Sequence, residues 1–282
     1  MTSTQIVHLN GEFLPIEEAR VPVLDRGFIF GDGIYEVVPV YARRPFRWPQ
    51  HLARLARNLA KVGIANPHDD AGWTDLVAEL VERHPWPDQF VYLQVTRGVA
   101  KRDHAFPQGV RPTVFAMTNE FVPVAPALRA QGVPAISLPD ERWLHCDIKS
   151  TSLLGNVLAR QAAVEAGAFE CMMFRDGFLS EGSASNIWVV RNGRVFGPPR
   201  DNLILEGIRM GLLDELCATA GIALDTRPIT REEVLQADEL LLSSATREVL
   251  AITRLDGRPV GTGVPGPVYA GLYAAYQAAK SA

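Results

Sequence analysis

The chain has 282 residues, 47% of them hydrophobic and 21% charged, with a formal net charge of -4. This is enough chain for two lobes with sizeable cores, and the mild acidity leaves no electrostatic footprint for nucleic acid or an anionic membrane surface. No apolar run approaches the roughly 20 residues of a spanning helix, and the opening MTSTQIVHLNGEF carries no secretory pattern.

In chain order, Asn10-Gly11 separates two short apolar runs and predicts a first hairpin. A strand is expected over 34–41, then a helix over 50–62 with Leu52, Leu55 and Leu59 on one face. A second helix is expected over 74–83, followed by strands over 90–97 and 113–118. The Pro- and Ala-rich stretch 119–131 reads as a connection between lobes. The division is therefore an N-terminal lobe over 1–120, a linker over 121–131 and a C-terminal lobe over 132–282 that carries Lys149.

In that second lobe, strands are expected over 133–138, 170–175, 186–191 and 239–244, with helices over 153–166, 209–220 and 268–279. Asp176-Gly177, Asn192-Gly193 and Asp256-Gly257 mark three more hairpins. Strands arranged in hairpin runs point to an α+β fold of two lobes, with mainly antiparallel sheets and packed helices. Cys146, Cys171 and Cys217 lie far apart and outside any CxxC, which suits a reducing cytoplasm.

Several catalytic patterns are missing. There is no Walker lysine, no H-E-x-x-H, no Cys/His cluster at metal spacing and no G-x-S-x-G. GTGVPG at 261–266 has the letters of a dinucleotide fingerprint, but a proline interrupts it and a hairpin precedes it, so it reads as a loop. The glycines of FGDGIYEVV lead into a strand and read as letting the backbone approach something closely.

Lys149 is one of only four lysines in the chain. It follows Trp143, Cys146 and Ile148 and precedes Ser150, Thr151 and Ser152, which read as N-caps of the next helix. An apolar setting beside a helix N-terminus disfavours an ammonium, and a neutral amine is what Schiff-base chemistry requires. A solvated surface lysine is the plainer alternative.

EGSASN at 181–186 offers Glu181 to a cationic ring nitrogen, with Ser183 or Ser185 to help fix a cofactor; otherwise it is a polar turn. Arg54 falls with His51, Arg57 and Lys61 on what reads as the polar side of the 50–62 helix. It is either part of a solvated basic face or an arginine turned toward a phosphate, which its fork suits. Arg102 and His104 alternate in the loop after the 90–97 strand, and two such groups suit a carboxylate.

Together DRGFIFGDGIYEVV, HLARL, VTRGVAKRDHAFP, RWLHCDIKSTSLLGNVLA, EGSASN and LILEGIR, at their spacing, resemble the class IV pyridoxal-phosphate-dependent aminotransferases, and within them the branch acting on D-amino acids. The resemblance runs nearly end to end. It implies pyridoxal 5′-phosphate held as a Schiff base on Lys149, which also shuttles the substrate proton. It implies Glu181 on the ring nitrogen, Arg54 on the phosphate and Leu205 packed on the ring, with further phosphate contacts from the Ile208–Arg209 backbone and around Ser244 and Ala245.

Tyr35, Arg102 and His104 are implied to grip the substrate carboxylate, the last two reaching across a homodimer interface. The substrates implied are D-amino acids, D-alanine first, and 2-oxo acids such as 2-oxoglutarate. The R-x-H pair sets this branch apart from branched-chain L-aminotransferases, R-selective amine transaminases and aminodeoxychorismate lyases, which share the scaffold.

Two positions depart from the family. Gly207-Ile208-Arg209-Met210 stands where G-I-T-R is usual, so a threonine hydroxyl is replaced by the Arg209 charge or by its backbone amide alone. Ala245 stands where threonine is frequent, flanked by Ser244 and Thr246.

Overall fold

Strand alternation and two amphipathic helices build the first of two compact units, residues 1–122 with 148–153; the second comprises 123–147 and 154–282. The computed structural model describes residues 5–281. The first unit runs β1 (Ile6–Leu9), β2 (Glu12–Pro15), α1 (Arg26–Phe30), β3 (Gly33–Tyr41), β4 (Arg44–Pro45), α2 (Trp48–Lys61), α3 (Asp70–Glu82), β5 (Gln89–Thr96) and β6 (Thr113–Glu120). Its sheet, in the order β2-β1-β6-β5-β3-β4, is antiparallel throughout.

Period-two alternation gives β3 a buried face of Ile34, Glu36 and Val38 and a half-buried face of Tyr35 and Val37. The buried face packs with Leu52, Leu55 and Leu59 of α2 and with Trp73 and Leu80 of α3. A carboxylate in phase with Ile34 and Val38 demands a charged partner, and α2 supplies it.

The second unit runs α4 (Pro126–Gln131), β7 (Val133–Pro139), α5 (Leu154–Glu165), β8 (Glu170–Arg175), β9 (Phe178–Gly182), β10 (Asn186–Arg191), β11 (Arg194–Gly197), α6 (Ile208–Ala220), β12 (Leu224–Thr226), α7 (Arg231–Leu235), β13 (Glu239–Ser244), β14 (Glu248–Leu255), β15 (Arg258–Pro259) and α8 (Pro267–Ser281). Its nine-stranded sheet is mixed: β7 pairs in parallel with both β14 and β8, and β11 with β12. The β7–β8 step is parallel because α5 lies between the two strands in the chain, a helical crossover that parallel neighbours need. Met172, Ile187, Leu240, Leu250 and Ile252 form its core.

The four expected hairpins are present, with Asn10, Asp176, Asn192 and Asp256 at φ 50–52° and glycine following each. GTGVPG is a loop, as read. Two expectations change. The 119–131 connection is not irregular throughout, since Pro126–Gln131 are helical, with Pro126 at the start where a missing N–H costs nothing. The lysine segment, expected with the C-terminal lobe, clusters with the first unit at 148–153, because its backbone pairs with the start of β3. The three cysteines are free and buried.

Candidate active site

In the first unit, Lys149 is fixed by its backbone. Tyr35 N donates to the Lys149 carbonyl at 3.0 Å, Thr151 N donates to Gly33 O at 2.9 Å, and Ser150 bridges Ile34. Thr151 Oγ1 donates to Gly31 O at 2.8 Å, as does Ser152 Oγ at 3.0 Å. These hydroxyls were expected to cap the following helix; they bind the FGDG turn instead, and α5 begins at Leu154. The glycines there allow the approach. A Cβ on Gly31, itself left-handed at φ 66°, would lie 2.7 Å from Ser152 Oγ, and one on Gly33 would lie 3.2 Å from Thr151 Oγ1. What comes close to the FGDG glycines is the lysine segment.

The side chain of Lys149 is half-buried, with Nζ 4.1 Å from the centroid of the Tyr35 ring. Tyr35 stacks in turn on Tyr92, 5.7 Å away, whose hydroxyl donates to Gln94 at 2.7 Å. Burial pushes the Tyr92 phenol up to about 12, so it stays a neutral hydrogen-bonding group. Tyr92 and Gln94 follow from the alternation that puts Tyr35 on the half-buried face, since both stand on cross-strand positions of the same face.

Arg54 is not on a solvated face. It is 4% exposed, and its Nε and Nη2 donate to Glu36 at 2.7 and 2.8 Å, while His51 Nδ1 sits 2.7 Å from the same carboxylate. Only Arg57 and Lys61 of that expected face are exposed. Burial alone would raise the Glu36 carboxyl, but Arg54 and then His51 outweigh it and hold it far below the usual carboxylate range. Arg102 and His104 lie in an exposed loop, both against the ring of Phe30.

The second unit carries the other expected residues. Glu181 is 5% exposed; Arg142 Nη1 donates to it at 2.5 Å, Asn186 Nδ2 at 3.2 Å, and Leu205 N to both its oxygens at 3.2 Å. Arg142 is braced by Asp140, which it meets at 2.9 Å through Nε and Nη2. Burial nevertheless pushes Glu181 up to about 7 against the attraction of Arg142. A cation brought to that carboxylate would favour its ionised form against the burial, as a protonated ring nitrogen would.

Ile208 and Arg209 open α6, whose N-cap Gly207 contributes no side-chain cap and whose first turn holds no acidic residue. A helix start of this kind suits a phosphate. The Arg209 guanidinium is buried toward Tyr276 of α8, 5.8 Å from its ring. Ser244 ends β13 and accepts from Arg247 N at 3.1 Å, beside Ala245 in the turn to β14. Ser183 and Ser185, one or other of which was a candidate to help hold a cofactor, give their hydroxyl protons to buried Glu170, at 2.5 and 2.9 Å. Glu36, Arg142 and Glu170 were not singled out from the sequence; of these only Glu36, in phase with the apolar face of β3, left a signal there.

The family model for class IV aminotransferases matches residues 33–255. The chain belongs to this family. It is 39% identical to a D-alanine aminotransferase of Bacillus licheniformis, over 96% of this chain and 95% of that one. It is 36% identical to the Staphylococcus aureus (strain MSSA476) D-alanine aminotransferase, over 93% of each. Its fold matches the branched-chain amino acid aminotransferase of Escherichia coli with a TM-score of 0.92, at 22% identity over 98% of this chain and 94% of that one. This class IV member is a pyridoxal-phosphate-dependent aminotransferase of α+β fold.

The Glu181 environment yields a stability test. A carboxyl raised from 4.5 to about 7 on folding contributes stability that is complete below 4.5 and is lost as pH rises through 7. In cofactor-free protein, Glu181→Gln should remove that slope. Urea unfolding at about pH 5 and about pH 8 should show the variant gaining on wild type by up to about 3 kcal/mol at the higher pH. Parallel pH profiles would mean that Glu181 titrates normally.

Proposed function

We propose that this chain is a D-amino-acid transaminase that moves an amino group reversibly between D-alanine and 2-oxoglutarate, giving pyruvate and D-glutamate. The seat of Lys149, its backbone fastened to β3 and its amine held over the Tyr35 ring at 4.1 Å, supports the amino-transfer chemistry, and the 39% identity to a D-alanine aminotransferase over 96% of this chain supports the choice of substrate. Pyridoxal 5′-phosphate, when bound, supplies the carbonyl that exchanges for the amino group and the ring that takes up the electron pair left at Cα.

Lys149 would hold the cofactor through Nζ, and once an incoming amine frees that nitrogen it would serve as the base that takes the Cα proton and gives it back. Lysine suits the task because, unlike arginine, it can give up its proton. Glu181, kept in place by Arg142 and Asn186, retains a proton on the ring nitrogen. Leu205 would pack on the ring while its N–H holds Glu181. Arg54, pre-oriented by Glu36, would bind the phosphate, for which the backbone N–H groups of Ile208 and Arg209 and the Ser244–Ala245 turn would offer further contacts. The inward course of the Arg209 side chain supports a contact through its amide.

Tyr35, Arg102 and His104 bind the substrate α-carboxylate, the latter two serving the neighbouring subunit of a homodimer. Val23, Leu24, Phe28, Val99 and Phe106, all exposed on the unit that carries this loop, support such an interface. Free, buried cysteines suit a cytoplasmic enzyme.

The test is a half-reaction screen. Purified protein should be yellow, and D-alanine and D-glutamate should bleach the cofactor band while L-leucine and an R-arylamine do not. Bleaching by the L-amino acid alone would reverse the stereochemical assignment, and a colourless protein that takes up no pyridoxal phosphate would remove the cofactor.

A further inference from the structure

We propose that Arg26 and Phe30 of α1 are positioning residues that set the Arg102/His104 pair, and through it the grip on the substrate carboxylate. This rests on the reading that Arg102 and His104 bind that carboxylate. The loop from Gly98 to Phe106 has almost no regular structure and is largely exposed, so two side chains on it would ordinarily sample many directions.

Here the loop is fastened along its length. Arg26 N donates to Gly98 O at 2.9 Å. The Arg26 guanidinium donates to the Asp103 carbonyl at 2.5 Å, with longer bonds of 3.4 Å to the carbonyls of His104 and Ala105. Phe106 lies under the Arg97 guanidinium at 3.6 Å.

The fastening is itself rigid. Arg26 is 3% exposed, and its Nε is held by Asp32 at 2.8 Å. The same carboxylate receives Arg97 Nε at 2.7 Å and Nη2 at 3.0 Å, and Arg97 also donates to the carbonyls of Val62 and Gly63. One turn along α1 from Arg26, the Phe30 ring gives the two side chains a common platform: the Arg102 guanidinium carbon is 5.3 Å from its centroid and the His104 ring 5.4 Å. Arg26 approaches the same ring at 4.8 Å. Backbone direction is thus set by Arg26 and side-chain direction by Phe30, so neither residue need touch substrate to fix where the carboxylate is held.

The holoenzyme variants Arg26→Lys, Arg26→Gln and Phe30→Leu test this. KM for D-alanine and for 2-oxoglutarate should rise together by about 10-fold in Arg26→Gln and Phe30→Leu, with kcat within about 2-fold of wild type. Arg26→Lys should recover part of the loss. Combining Phe30→Leu with Arg102→Ala should add nothing to Arg102→Ala alone. The half-reaction with a simple alkylamine that lacks a carboxylate should be unchanged.

Unchanged KM for both substrates, or equal losses toward the amine and the amino acids, would overturn the inference. Should Arg26→Gln not fold, Phe30→Leu decides alone. A wild-type enzyme inactive toward every amino acid would instead overturn the proposed function.

Discussion

Lys149→Ala should leave a folded protein that transfers no amino groups, with kcat lower by at least about 10⁴-fold. The fold survives because the segment is held by its backbone through Tyr35 N, Gly33 O and the Ile34–Ser150 bridge, none of which needs the side chain. What the fold loses is one cation–π contact over Tyr35, worth about 0.5–1 kcal/mol at a half-buried site. Lys149→Arg makes the sharper comparison. It keeps a cation over the ring but cannot supply a neutral amine, so it should be as inactive as alanine. Borohydride treatment of loaded wild type should leave a covalent label on the peptide that contains Lys149, and neither variant should take it. Residual turnover above about one hundredth of wild type would place the proton transfer elsewhere.

Glu36→Gln should cost the first unit about 3–5 kcal/mol, the usual penalty for removing one partner of a buried ion pair. The substitution keeps the shape but withdraws the anion that receives two nitrogens of Arg54 and faces His51, all three residues being buried. The Glu36 carboxyl is held well below its ordinary 4.5, so its contribution is present above that pH and is lost as pH falls through the folded value. The gap between wild type and variant should therefore be full at neutral pH and narrow on acidification below about 4.5. Because Glu36 also aims Arg54, the variant should bind pyridoxal phosphate more weakly at a pH where it is still folded. Urea unfolding and cofactor titration on one preparation separate the two effects. An unchanged unfolding midpoint would show that the carboxylate is dispensable.

Much of this architecture was legible because its signals are local. Asn-Gly and Asp-Gly pairs name their own turns, and the leucines of α2 name their own face. Less visible were elements whose stability comes from distant residues. The five-residue α1 contains Gly27, ends at Gly31 and has no amphipathic period; it is held by Asp25, whose carboxylate caps Gly27 N and also receives Thr96 and Thr113. The solvated-face alternative for Arg54 fails for a related reason. Helical periodicity sorts charged residues to the outside, and only the pairing with Glu36, eighteen positions away, brings it in. The hydroxyls at 151 and 152 are good helix caps by residue type, yet they find carbonyls some 120 residues upstream. The site residues were named through family resemblance; the groups that hold them, Glu36, Arg142 and Glu170, belong to long-range pairings that no short motif records.

The assignment of 148–153 to the first unit bears on how the protein is made. The chain passes from the first unit to the second after Val122, returns at Ile148 and leaves again after Leu153. During synthesis the first sheet can form all its strands once Glu120 has emerged, but the segment that docks on the start of β3 arrives only after part of the second unit has been translated. A nascent chain halted before Ile148 would have a nearly complete first unit without Lys149. A fragment ending at Val122 should therefore be less stable than the same unit in the whole protein, and supplying 148–153 as a separate peptide would have to overcome the entropy of association that the covalent chain avoids. Acquisition of the lysine is in this way tied to progress of the second unit, so no early, half-made form carries it.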